Sequence, residues 1–107
     1  MTNESFENLI LELRRGVIVL AVLSQLDKEQ YGYSLINSLK AAGLEIDQGT
    51  LYPLLRRLES HGLLESTWRI EADRPRRYYM VSAEGRNLLP RLKKEWVGIV
   101  SIMKRML

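Results

Sequence analysis

Residues 47–70 read DQGTLYPLLRRLESHGLLESTWRI, a helix with its own start and stop signals running directly into an alternating strand. Asp47 suits an N-cap, because a carboxylate can accept hydrogen bonds from the amides that a first helical turn leaves unpaired. Gly62 suits the left-handed residue that closes a helix. The pair predicts a helix over about 48–61. At 100° per residue, Leu51, Leu54, Leu55 and Leu58 share one narrow face, while Gly49, Tyr52, Pro53, Arg56 and Ser60 point the other way. The leucines are candidate core. The opposite face offers an aromatic ring, a cation and small residues. From Leu64 to Ile70 the pattern changes period, with Leu64, Ser66, Trp68 and Ile70 on one side and Glu65, Thr67 and Arg69 on the other, as in a half-buried strand.

Toward the C-terminus, Arg77–Val81 reads as a second strand. The polar stretch Glu71–Arg76, with Pro75 inside it, reads as a connecting loop too irregular for a tight two-residue turn. This hairpin carries Arg74, Arg76 and Arg77, followed by Tyr78 and Tyr79. Neighbouring strand residues face opposite ways, so one tyrosine is expected in the core and the other as a phosphate contact, with their order open. Ser82 can cap a last helix beginning near Ala83, on which Leu89, Leu92, Trp96, Ile99, Met103 and Met106 recur at alternating steps of three and four, the spacing of a helix-pairing seam. Pro90 and Gly98 weaken that helix, and a kink is expected near Arg86–Pro90.

Toward the N-terminus, Phe6, Leu9, Ile10, Leu13, Val17 and Leu20 define a first helix that runs through the apolar stretch Val17–Leu23, with Gly16 as a point of bending. A polar break over Asp27–Gln30 separates it from a second helix over Tyr31–Ala42, whose Leu35, Ile36 and Leu39 share a face and whose end is marked by Gly43.

The 107 residues allow one core, and a chain this short gains from a partner subunit. There is no cysteine, hence no disulfide framework and no thiolate ligand or nucleophile. The longest apolar run is far below the roughly 20 residues needed to span a bilayer, and no export signal is evident, so a cytoplasmic protein is expected. His61 is the single histidine and cannot build a metal site alone. With no glycine-rich phosphate loop and no paired-ligand spacing, the chain reads as non-enzymatic, without cofactor or metal. Charge is distributed unevenly: residues 1–47 carry four Lys/Arg against seven Asp/Glu, and residues 48–107 carry twelve against six. A basic second half points to a polyanionic partner.

Three helices followed by a two-stranded hairpin is the order of a winged helix-turn-helix, in which the third helix enters the major groove and the hairpin touches the adjacent backbone. The expected fold is therefore mainly α with a small β-hairpin: a winged helix-turn-helix DNA-binding domain over 1–81 and a C-terminal dimerisation helix over 82–107, in one compact unit. Arg56 and Tyr52 project from the groove face toward base edges or phosphates, Gly49 permits close backbone approach, and the hairpin arginines supply salt-sensitive phosphate contacts.

Beyond this reading, the string GTLYPLLRRLESHGLLES at 49–66, with YGYSLI before it, RRYYMVSAEGR after it and EW in the last helix, resembles the PadR family of transcriptional regulators from about Leu9 to Trp96. The resemblance implies a ligand-responsive homodimer, usually a repressor, binding double-stranded DNA at an inverted-repeat operator, with recognition helix Gln48–Ser60 and wing Trp68–Tyr79. Candidate DNA contacts are Tyr33, Gln48, Gly49, Thr50, Tyr52, Pro53, Arg56, Arg57, Arg74, Arg76, Arg77 and Tyr78. The last helix would pair with the partner's first helix, making Leu9, Leu13, Leu89, Leu92, Trp96, Ile99 and Met103 candidate dimer contacts. Ending after a single C-terminal helix, the chain is similar to the short members that include multidrug-binding regulators. In some of these a tryptophan at the place of Trp96 stacks on planar aromatic drugs between subunits. By that likeness Val17, Leu89, Lys93, Trp96 and Val100 are candidate effector contacts, with the Lys93 ammonium disfavouring a cationic ligand.

Duller readings stand beside these. Trp96 on a pairing seam serves dimer packing as readily as ligand stacking. Arg91, Lys93, Lys94, Lys104 and Arg105 belong to a helix that faces a partner, so much of the positive charge is solvation. The competing functional reading is a winged-helix module that binds another protein, which salt dependence separates from DNA binding.

Overall fold

In a computed structural model, which describes residues 2–107, the chain forms α1 (Asn3–Gln25), β1 (Gln30–Tyr31), α2 (Gly32–Ala41), α3 (Gln48–Ser60), β2 (Leu64–Glu71), β3 (Arg74–Val81) and α4 (Ala83–Met106). Local chemistry explains the helix boundaries. Thr2, Asp47 and Ser82 each accept a hydrogen bond from a first-turn amide, of Ser5, Thr50 and Gly85 respectively. Gly43 and Gly62 take positive φ angles of 98° and 80° just past the ends of α2 and α3, where a Cβ would be strained. α4 continues through Pro90.

The core gathers Ile18, Val22, Leu23 and Leu26 from the end of α1, Leu35 and Leu39 from α2, all four expected leucines of α3, and Leu64, Tyr79 and Val81 from the sheet. Truncating any of these leucines to alanine would cost about 2–5 kcal/mol. α4 joins by close backbone approach rather than by large side chains. A methyl group on Gly85 would overlap the Leu63 carbonyl and Val81, while Leu89 and Leu92 pack half-buried against the core. Ser82 ties the junction together, donating from Oγ to the Gly62 carbonyl at 2.6 Å while accepting from the Gly85 amide.

The sheet departs from the sequence reading in three ways. It has three antiparallel strands in the order β1-β3-β2, because Gln30 and Tyr31, read as the end of a polar break and the start of a helix, pair with Tyr79 and Tyr78. The hairpin turn is tight, contrary to the expected irregular loop over Glu71–Arg76. Ladder pairing continues to Glu71↔Arg74, and Ala72 and Asp73 alone make the turn at φ 49° and 62°. Two successive positive φ values match the twist of the flanking strands. Pro75 is accommodated inside β3 because β1 stops short of it, leaving that edge without a ladder to break. Finally, the face expected to be half-buried is buried only at Leu64: Trp68 is 64% exposed and Ile70 80% exposed, since the hairpin outruns the core.

A second region also lies outside the core. Phe6, Leu9, Leu13 and Val17 of α1, and Trp96, Ile99, Met103 and Met106 of α4, are all exposed by two-fifths or more. The radius of gyration, 15.5 Å, exceeds the roughly 13 Å typical of a compact chain this long, consistent with helix halves that project beyond the core. Among the described residues, no helix is long and apolar enough to cross a membrane, and no cluster of His, Cys, Asp or Glu is placed to hold a metal ion.

Candidate nucleic-acid interface

α3 and the hairpin enclose a notch whose geometry follows from a few local choices. The Tyr52 ring leaves the polar face of α3 and lies over Gly32, the first residue of α2; a methyl group on Gly32 would overlap the ring. Glycine at this position therefore sets where Tyr52 sits. Pro53 is exposed on the same helix and has no amide to offer the Gly49 carbonyl one turn earlier, leaving that acceptor without its helical partner.

One side of the notch, about 310 Å³ in volume, is bounded by Tyr31, Tyr33, Tyr52, Arg56, Trp68, Arg76 and Arg77 with Tyr79 as floor. The adjoining part, about 460 Å³, extends between Gln48 and Tyr52 on α3 and Arg74, Pro75 and Arg76 on the hairpin. Neither part has a carboxylate in its lining. Of the expected DNA contacts, the structure thus brings together Tyr33, Gln48, Tyr52, Arg56, Arg74, Arg76 and Arg77. Gly49, Pro53 and Arg57 are exposed on α3 beside the notch. A methyl group on Gly49 would meet only the Asp47 carboxylate at 3.5 Å, so nothing within the chain needs glycine there. Thr50 is exposed but borders a different depression, lined by Leu11, Arg14 and Ile18 of α1. Sequence reasoning missed Tyr31, Gly32 and Trp68; the alternation that placed Trp68 opposite Arg69 was the available signal.

The two tyrosines part company. Tyr79 is 6% exposed and belongs to the core, and burial pushes its hydroxyl above the ordinary tyrosine range. Tyr78 does not line the notch, although its ladder partner Tyr31 and its neighbour Arg76 do. Its hydroxyl donates to Glu71 Oε1 at 2.6 Å, and that hydrogen bond is the main cause of its raised pKa, with desolvation second. Tyr31 meets it edge-on, with ring centroids 5.5 Å apart, and Arg69, paired with Glu29, covers its ring.

The three arginines of β3 differ in freedom. Arg76 lies 4.5 Å above the Tyr31 ring, and Arg74 is exposed near the turn. Arg77 is engaged within the chain: Nη2 donates to Glu59 Oε1 at 2.6 Å, Nε donates to Ser66 Oγ at 3.1 Å, and Ser66 Oγ in turn donates to Glu59. The guanidinium is also within 5.7 Å of the Trp68 ring and 5.3 Å of the Tyr79 ring. This cluster braces the hairpin against the C-terminal end of α3.

A second concavity, about 480 Å³, opens between α1 and α4. Val17, Leu89, Lys93 and Trp96 line it together with Leu20, Ala21 and Ser24. Val100 lies in a shallower neighbouring depression that also touches Trp96.

Comparison with known proteins agrees with this architecture. Residues 19–91 match the family described as the transcriptional regulator PadR-like family. A transcriptional regulator of Mycobacterium tuberculosis is 39% identical over 79 residues, covering 73% of this chain and 74% of that protein. The chain belongs to the PadR-like family of transcriptional regulators. Members of the PadR-like family are regulators and not enzymes. Among solved structures, a PadR-family transcriptional regulator from Eggerthella lenta superposes with a TM-score of 0.90 at 41% identity, over 97% of this chain and 93% of its own. A PadR-like transcription factor from Bacteroides fragilis gives 0.77 at 30% identity, over 94% and 99%. The winged-helix fold, mostly helical with a small sheet, is thus the PadR fold.

Proposed function

We propose that this PadR-family chain is a sequence-specific DNA-binding repressor that acts as a homodimer and releases an inverted-repeat operator when a planar aromatic effector binds between its subunits. The observation that carries the reading is the notch: Tyr52 and Arg56 from α3 and Arg74 and Arg76 from the wing line one concave surface without a carboxylate. A helix presenting an aromatic and an arginine suits base edges, and arginines on the adjoining hairpin suit the phosphates beside them.

Dimerisation rests on the exposed apolar halves of α1 and α4. Leu9, Leu13, Trp96, Ile99 and Met103 remain exposed in the single chain, a surface that association would remove from water. Two such subunits would place their α3 helices in successive major grooves about one helical turn apart. The concavity around Trp96 offers an aromatic shelf among apolar walls with one cation, Lys93, which favours neutral or anionic aromatic ligands. Only a ligand that prefers one relative placement of the subunits can shift DNA affinity.

Replacing Arg56 with alanine tests the assignment. The expected cost to operator binding is about 1–3 kcal/mol, with relaxed preference at one base position of each half-site. Unchanged affinity and sequence preference would show that this face of α3 does not read DNA.

A further inference from the structure

Strand alternation divides the wing into two chemically different faces. The ladder pairs Leu64↔Val81, Ser66↔Tyr79, Trp68↔Arg77 and Ile70↔Pro75 form the face turned toward α3. Both carboxylates of the strands, Glu65 and Glu71, fall on the other face together with Arg69, Arg74 and Arg76, Glu71 holding the Tyr78 hydroxyl. The inner face therefore carries a single charge, the braced cation Arg77, and ends in three apolar side chains. Trp68 is 64% exposed and Ile70 80% exposed, and Pro75, opposite Ile70, is also exposed. Trp68 also borders the notch beside Arg56 and Tyr52, so this apolar strip continues the surface assigned to DNA.

An exposed isoleucine paired with a proline has no packing role within the chain. A tight turn and a full ladder hold the pair at the end of a two-stranded finger. Resting on the reading that α3 occupies the major groove, we infer that Ile70 and Pro75 form an apolar wedge that enters the adjacent minor groove, while Trp68 packs on the sugar edge of the intervening backbone. Absence of carboxylates on this face and its continuity with the arginine-lined notch favour a polyanion over an apolar protein partner. A wedge of this kind contributes by burial and by groove shape rather than by charge. It adds affinity that salt does not screen, and it disfavours G·C pairs beneath it, whose guanine amino group occupies the minor-groove floor.

The test uses the full chain and an operator duplex selected with the wild-type protein. Ile70→Ser is expected to weaken binding on the order of tenfold, the scale set by burying most of an isoleucine side chain, with the salt slope unchanged. Arg74→Ala, in contrast, is expected to lower the slope by about one. Placing G·C pairs beneath the wing should weaken the wild type. Replacing those guanines with inosine, which lacks the amino group, should restore binding, and Ile70→Ser should not distinguish the two duplexes. The chain has two tryptophans, so in a Trp96→Phe background the emission of Trp68 should change when operator is added. Wild-type affinity in Ile70→Ser, a salt slope that falls as in Arg74→Ala, or loss of self-association in Ile70→Ser would each overturn the wedge. Failure of the wild type to select any sequence would instead overturn the DNA reading on which it rests.

Discussion

Replacing Glu59 with alanine removes the acceptor at the centre of the brace between α3 and the wing. Two donors lose their partner: Arg77 Nη2, at 2.6 Å, and Ser66 Oγ. The side chains of Arg77 and Glu59 are 34% and 26% exposed, so neither the surface limit nor the buried limit applies. An exposed ion pair contributes about 0–1 kcal/mol and a hydrogen bond to a charged group about 1.5–3 kcal/mol. A loss of about 1.5–2.5 kcal/mol follows for partial exposure, with Glu59→Gln losing about half as much because its amide keeps only one of the two acceptor oxygens. The assay is urea unfolding followed by circular dichroism at one fixed protein concentration, since the midpoint of an associating chain varies with concentration. In a double-mutant cycle with Arg77→Ala, a coupling of about 1 kcal/mol or more is expected. Operator affinity should fall as well, through a loosened wing, with the salt slope preserved. A coupling below about 0.3 kcal/mol would refute the brace, because groups in different elements would then be acting independently.

Gly32→Ala is expected to leave the fold near wild-type stability while displacing Tyr52, lowering DNA affinity by about 1–3 kcal/mol; equal affinity in a polarisation titration would contradict the placement of that ring. Ile99→Glu should yield a folded monomer by sedimentation, because Ile99 is 56% exposed in the single chain and a charge in a dimer seam is costly. Leu92 is the poorer choice for this test, as it also packs on the chain's own core. Tyr78 and Tyr79 both have raised pKa values, so the folded state holds these protons more tightly than the unfolded state. Their contribution to stability is present in full below about pH 10, the unfolded tyrosine value, and is lost as pH rises through the folded values. Tyr78→Phe should flatten that alkaline decline in urea unfolding, and an unaltered decline would contradict the Glu71 hydrogen bond as its cause.

What was legible in the sequence was what short-range chemistry determines. Asp47, the leucine face of α3 and Gly62 define one helix almost to the residue, because cap, periodicity and stop signal agree within sixteen positions. Ser82 as the cap of α4 was legible for the same reason. The turn was not, because Ala72 and Asp73 are not the asparagine and glycine usual at positive φ; the eight pairs of the β2–β3 ladder impose the conformation. β1 was invisible because two residues have no period. In the candidate site, individual residues could be chosen from helix faces, but their relations could not. Tyr52 over Gly32 and Arg77 on Glu59 join residues about twenty positions apart through tertiary contact, which no local pattern encodes.

Enrichment of a random-sequence duplex library by the purified chain, followed by polarisation titration of the recovered sequence at several salt concentrations, tests the central claim most directly. The account predicts an inverted repeat with half-sites about one helical turn apart, bound in preference to random duplex, with affinity falling steeply as salt rises. Recovery of no common sequence, with weak binding that all duplexes share, would contradict it.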